Sequence, residues 1–236
     1  MIRPRPGLLA VIALWGLASP AIRAGGHTVA LRTTDGITLS ASLYEASRQP
    51  APAVVLVHML TRTRADWAGV AEQLQQAGVV VLVPDLRGHG DSAGSYDPAG
   101  DLSIFQRDVQ AALGLLRARS DVSPGRIGIA GASLGANLAV LTAAADGGVR
   151  SVALLSPGLD YRGVRCDSAM RKYGERPALL VAASNDPYAL RTVKSLATIG
   201  APREVLTLEG AGHGTAMLAR DPDLAGRLVE WFKKTL

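Results

Sequence analysis

Two hydrophobic rhythms alternate along the chain. Short apolar runs rich in valine, leucine and alanine are separated by longer stretches in which apolar residues recur every three or four positions. The runs at 53–57, 79–83, 126–130, 149–155, 177–183 and 203–208 predict strands. The first two are apolar without interruption, which predicts burial on both faces. The stretches at 66–76, 101–119, 135–145, 188–199 and 223–236 predict helices. In the first of these, Trp67, Val70, Ala71 and Leu74 share one side, and Gly78 ends it. Ahead of them, 28–33 and 37–45 predict a strand pair joined at Thr34-Asp35-Gly36.

Strand–helix alternation of this kind predicts an α/β fold: a mostly parallel sheet with helices on both faces. The opening hairpin adds antiparallel strands at one edge. No internal repeat or linker interrupts the pattern, so one domain over residues 25–236 is expected. Residues 1–24 differ in kind. Arg3 and Arg5 form a basic start, an apolar stretch covers 8–18, and small residues follow. These features predict a secretory signal peptide, cut after Ser19-Pro20-Ala21 or Ile22-Arg23-Ala24. The apolar stretch is short for a spanning helix, so no stable membrane insertion is expected after cleavage; an uncleaved anchor is the alternative. The expected location is a periplasm or the exterior. The single Cys166 cannot close an intrachain disulfide.

Composition removes some functions. Of 236 residues, 48% are hydrophobic and 19% charged, a globular balance. Aromatics are 4%, and the net charge of +5 comes without a Lys/Arg-rich run, so nucleic acid is not an expected partner.

In parallel sheets, ligands bind beyond the carboxyl ends of the strands. The polar residues just after each strand are therefore the candidates. Gly131-Ala132-Ser133-Leu134-Gly135 follows a predicted strand and opens a predicted helix. It reads as a plain tight turn or as a nucleophile elbow presenting Ser133. A serine hydroxyl needs a base. His213, in Leu208-Glu209-Gly210-Ala211-Gly212-His213-Gly214, follows the last strand and is that base or a surface histidine. Asp186, in Ala183-Ser184-Asn185-Asp186-Pro187, is the acid that fixes the imidazole tautomer, or the N-cap of the helix starting at Pro187. Asp160 is the rival acid.

The order Ser133, Asp186, His213 on an alternating sheet resembles the α/β-hydrolase fold family over nearly all of residues 25–236. Val55-Leu56-Val57-His58 resembles the strand and start of that family's oxyanion loop. Asp85-Leu86-Arg87-Gly88-His89-Gly90-Asp91-Ser92 is similar to its segment after the fourth strand. The nearest resemblance is to esterase and dienelactone-hydrolase-like members. It implies a serine hydrolase that cleaves carboxylic esters, or other small acyl substrates, through an acyl-enzyme. Ser133 would attack, His213 would take its proton and Asp186 would orient His213. Leu134 N–H and an N–H after His58 would hold the oxyanion. The family's usual Gly after that His is Met59 here, which leaves Met59 and Leu60 both open as the second donor. His58 and His89 would order loops, and His27 has no expected chemistry. No cluster has metal-ligand spacing, and no cofactor is expected. Residues 156–176 are too few for an inserted lid domain, so a minimal lid and an open site are expected. Met59, Leu60, Tyr161 and Tyr188 are candidates for its wall, or ordinary packing. A peptidase or amidase on the same fold, and a non-catalytic binding protein, are the alternatives. The oligomeric state is not legible.

Overall fold

The valine-rich runs become strands of one sheet, as the patterning requires. The structure, a computed structural model, describes residues 25–236; the expected signal peptide, 1–24, lies outside the described residues. β1 (His27–Arg32) and β2 (Thr38–Tyr44) form the antiparallel hairpin. β3 (Ala51–Val57) is followed by a 3-10 turn (Arg64–Trp67), α1 (Ala68–Gln76) and β4 (Val80–Pro84). A second 3-10 turn (Leu102–Phe105) leads into α2 (Gln106–Ala118), β5 (Val122–Ala132) and α3 (Leu134–Ala145). Then come β6 (Val149–Leu155), a small hairpin of β7 (Asp160–Tyr161) and β8 (Val164–Arg165), and α4 (Cys166–Tyr173). The chain ends with β9 (Ala178–Ala183), α5 (Pro187–Leu196), β10 (Glu204–Leu208), α6 (Ala216–Arg220) and α7 (Leu224–Thr235).

The sheet order is β1-β2-β4-β3-β5-β6-β9-β10. β1 and β2 run antiparallel at one edge, and the six strands from β4 to β10 are parallel. Side chains alternate between two apolar layers. Val55, Val57 and Ile129 point to the layer under α2, α3, α4 and α5. Val54, Leu56 and Ala130 point to the layer under α1, α6 and α7. α3 is buried almost all round, because α2 and α4 cover it from outside. Among the described residues no helix is long and apolar enough to cross a membrane.

The segment after β4 is fixed by ion pairs in place of regular structure. Buried Arg87 donates to Asp108 on α2 and to Asp35 in the first hairpin. Arg64 pairs with Asp85 and Asp91. A buried charge is tolerable only when paired in this way. Between β6 and β9 stand only the β7–β8 hairpin and α4, so no lid domain is inserted there.

Candidate active site

Ser133 directly follows β5, at the centre of the sheet. Its backbone has φ 53° and ψ −120°, strained space for a residue with a side chain. The flanking glycines make that turn possible by close approach. A methyl at Gly131 would run into the Gly135 carbonyl, and one at Gly135 into the carbonyls of Val57 and His58. Ser133 N–H donates to Leu155 O at 2.8 Å, and its carbonyl accepts from Ala136 and Asn137. The hydroxyl thereby stands at the N-terminus of α3, where the helix dipole favours negative charge.

His213 comes from the loop after β10, 80 residues away, and its Nε2 lies 2.8 Å from Ser133 Oγ. Its Nδ1 donates to Asp186 Oδ2 at 2.6 Å. The other Asp186 oxygen accepts from Ala189 N–H at 3.2 Å. The geometry accommodates both readings of Asp186: one oxygen caps α5 ahead of Pro187, and the other accepts from the imidazole. Asp160 stays away, in β7, where it accepts from Gly163 N–H and faces Arg165. The His213 side chain is 39% exposed and that of Asp186 11%. The imidazole is the most exposed of the three groups, between a buried serine and a largely buried carboxylate.

Three residues that sequence reasoning did not single out hold the His213 loop. Asn185 accepts from Gly212 N–H at 2.9 Å and donates to Gly210 O at 3.2 Å. Ser184 accepts from Gly210 N–H. Buried Ser156, directly after β6, accepts from Gly214 N–H at 2.9 Å. Each is among the first polar residues beyond a strand, which is the signal that finds them.

The loop after β3 carries Met59 and Leu60. Their N–H groups, and that of Leu134 at the first position of α3, have no hydrogen-bond partner among the described residues. Helix geometry explains the last, since the first turn has no carbonyl to bond. His58 fixes the loop from beneath. It is buried, its Nε2 accepts from Leu86 N–H, and its Nδ1 donates to Met59 O at 2.8 Å. Burial pushes its pKa down to about 4, so the ring is neutral. His89 does the same work one step out, accepting from Thr61 N–H and donating to Arg87 O. His27 is at the start of β1.

Tyr161, on the β7–β8 hairpin, places its hydroxyl 3.2 Å from Ser133 Oγ. Tyr188 is at the start of α5; its hydroxyl accepts from Leu159 N–H, and the residue is 42% exposed. A side chain at Gly158 would strike both rings. The hairpin is clamped by buried Asn137 of α3, which donates to Gly158 O and Val164 O and accepts from Gly158 N–H. Met59 and Thr215 also line a cleft of about 760 Å³ between α1 and the α6–α7 segment; Ser133 and His213 do not line it. The cleft adjoins the site and is not its floor. Among the described residues no three His, Cys, Asp or Glu side chains cluster as a metal site would require.

An uncharacterised protein of Mycobacterium tuberculosis is 28% identical over 228 residues, covering 86% of this chain and 76% of its own length. The carboxymethylenebutenolidase of Pseudomonas putida is 26% identical over 208 residues, covering 80% of this chain and 85% of its own length. The crystal structure of a dienelactone hydrolase from Anabaena variabilis superposes with a TM-score of 0.74 at 20% identity, covering 89% of this chain and 98% of that one. A family model described as serine aminopeptidase S33 matches residues 48–191, from β3 through the start of α5. With that match spanning more than half its length, on a sheet of this order, the chain belongs to the Hydrolase_4 family of α/β hydrolases.

Proposed function

We propose that the protein is a serine hydrolase that cleaves carboxylic esters through an acyl-enzyme. The observation that carries this reading is the unbroken line Ser133 Oγ, His213 Nε2, His213 Nδ1, Asp186 Oδ2, at 2.8 and 2.6 Å. In the first half-reaction Ser133 Oγ attacks the ester carbonyl carbon as its proton passes to His213 Nε2. The carbonyl π pair moves onto oxygen, where Leu134 N–H and Met59 or Leu60 N–H receive it. Each such donor is typically worth ~10²–10³ in rate. The bond to the leaving alkoxide then breaks, and His213 returns the proton to it. Water, deprotonated by His213, hydrolyses the acyl-serine by the same steps reversed. Asp186 stabilises the imidazolium in both halves.

The matched family's description favours a second reading, an aminopeptidase or amidase. Such an enzyme needs a carboxylate free to meet the substrate ammonium. Asp66 is engaged by Arg62 and Thr215, which leaves one carboxylate fewer for that role. The open rim, with Tyr161 and Tyr188 as its wall, supports small or extended acyl groups.

The test is covalent labelling with a fluorophosphonate, read by mass spectrometry. Ser133 should carry the label, and Ser133→Ala should lose it together with most ester hydrolysis. His213→Ala should match it, with the double variant hardly worse, because the two act as a unit. A chain that hydrolyses esters with the label elsewhere would remove the proposal. A panel of short-chain esters and aminoacyl amides separates the two readings.

A further inference from the structure

The Tyr161 hydroxyl is half-buried, and the only hydrogen bond it makes within the described residues is with Ser133 Oγ. A phenol used merely as wall has no reason to meet the one oxygen that reacts. Several features hold it there. The Asn137 clamp fixes both ends of the hairpin, and Asp160 closes its turn on Gly163 N–H at 3.0 Å. Leu102 N–H ties the tip to the main body through Arg162 O. Gly158 leaves room for the ring, since a Cβ there would lie 2.8 Å from it.

Direction matters as much as distance. His213 arrives from the face of the sheet covered by α6 and α7, where Met59 also packs. Tyr161 arrives from the opposite face, with Leu60, over the start of α3. The two groups thus belong to segments that pack on opposite layers of the sheet. In the resting enzyme Ser133 O–H points to His213 Nε2, so the Tyr161 O–H donates to a lone pair of Oγ. We propose that Tyr161 is a further catalytic residue, which transfers this hydrogen bond from Ser133 Oγ to the substrate carbonyl oxygen as it becomes the oxyanion, adding a side-chain donor to the backbone pair.

The inference rests on Ser133 being the nucleophile. Its balance is simple. Ser133 loses its proton to His213 and forms the C–O bond. The carbonyl π pair goes to oxygen, and Tyr161 keeps its own proton throughout. The bond shifts because Oγ gives up electron density on attack while the carbonyl oxygen gains a full charge, and bonds to charged acceptors are the stronger ones. Burial raises the Tyr161 pKa above the ordinary phenol value, which keeps the donor protonated.

Tyr161→Phe removes the hydroxyl and retains the ring, and among the described residues no other hydrogen bond is lost. Its kcat for 4-nitrophenyl butyrate should fall about 10²-fold with KM within twofold of wild type. Phosphonylation of Ser133 by a fluorophosphonate should slow in parallel, since the phosphoryl oxygen takes the oxyanion position. A variant with wild-type kcat, or one whose loss lies in KM, would overturn the inference and return Tyr161 to the wall. Wild-type protein labelled at a residue other than Ser133 would instead overturn the nucleophile assignment beneath it. A thermal midpoint close to wild type identifies the effect as chemical.

Discussion

At the scale of single residues, one carboxylate makes two contacts, with the start of α5 and with His213. Asp186→Asn keeps an acceptor for the Ala189 N–H, so α5 should remain capped and the fold intact. Its amide presents a donor or the wrong acceptor to His213 Nδ1, and the imidazole loses its tautomer. Turnover should fall by up to ~10⁴, while Asp160→Asn should leave it nearly unchanged; steady-state kinetics on both variants decides. His58 makes a separate prediction. Its folded pKa, about 4, lies below the ordinary histidine value of 6.5. The unfolded chain therefore takes up this proton first as pH falls. The stability His58 contributes is full above about pH 6.5 and is lost progressively down to about pH 4, by about 3 kcal/mol in all. Denaturant midpoints measured across that range should fall, and His58→Gln should flatten the fall. A wild-type curve flat from pH 7 to 4.5 would contradict the neutral, buried ring.

At the scale of elements, the β7–β8 hairpin depends on Asn137. Asn137→Ala leaves Gly158 N–H and two carbonyls without partners in a buried place, at about 1–3 kcal/mol for such a group. The thermal midpoint should drop. Turnover should fall too, and in combination with Tyr161→Phe it should fall little further, because both changes act on one hydroxyl. A double variant with fully additive losses would separate the clamp from the tyrosine. The same elements show what patterning conveys. β3, β4, β6, β9, β10, α1, α2, α3, α5 and α7 lie close to where hydrophobic periodicity puts them, because burial on both faces, or on one stripe, is written in composition. β5 starts earlier, at Val122 and not 126: Ala51 pairs with Val122 across a register shift, a tertiary event that reads through Pro124 and Gly125. Both 3-10 turns were merged into the helices they precede. The β7–β8 hairpin and α6 were not foreseen, since elements of two to five residues carry no period. In the site, Ser133, Asp186 and His213 were legible because each follows a strand and bears reactive chemistry. Asn137, Ser156, Ser184 and Asn185 were not, because their work is to hold backbone, and only folding shows which backbone.

At the scale of the whole molecule, export remains a proposal carried by residues 1–24. N-terminal sequencing of protein from its host should find a start between about Ala21 and Gly25, and an intact Met1 on the soluble chain would refute it. The placement of His213 has a temporal consequence. It rides on the loop after β10, the last strand of the sheet and an exposed edge, yet it must meet a serine laid down 80 residues earlier at the centre. Contacts distant in sequence are slow to close, and this one also waits on an edge strand that pairs on one side alone. During refolding, secondary structure read by circular dichroism should return first, and fluorophosphonate reactivity should lag until β10 docks on β9. On the proposed mechanism, a chain stalled with its central strands assembled and its last strand free lacks His213 beside Ser133 and should be silent toward the probe, so activity would await the sealing of the edge.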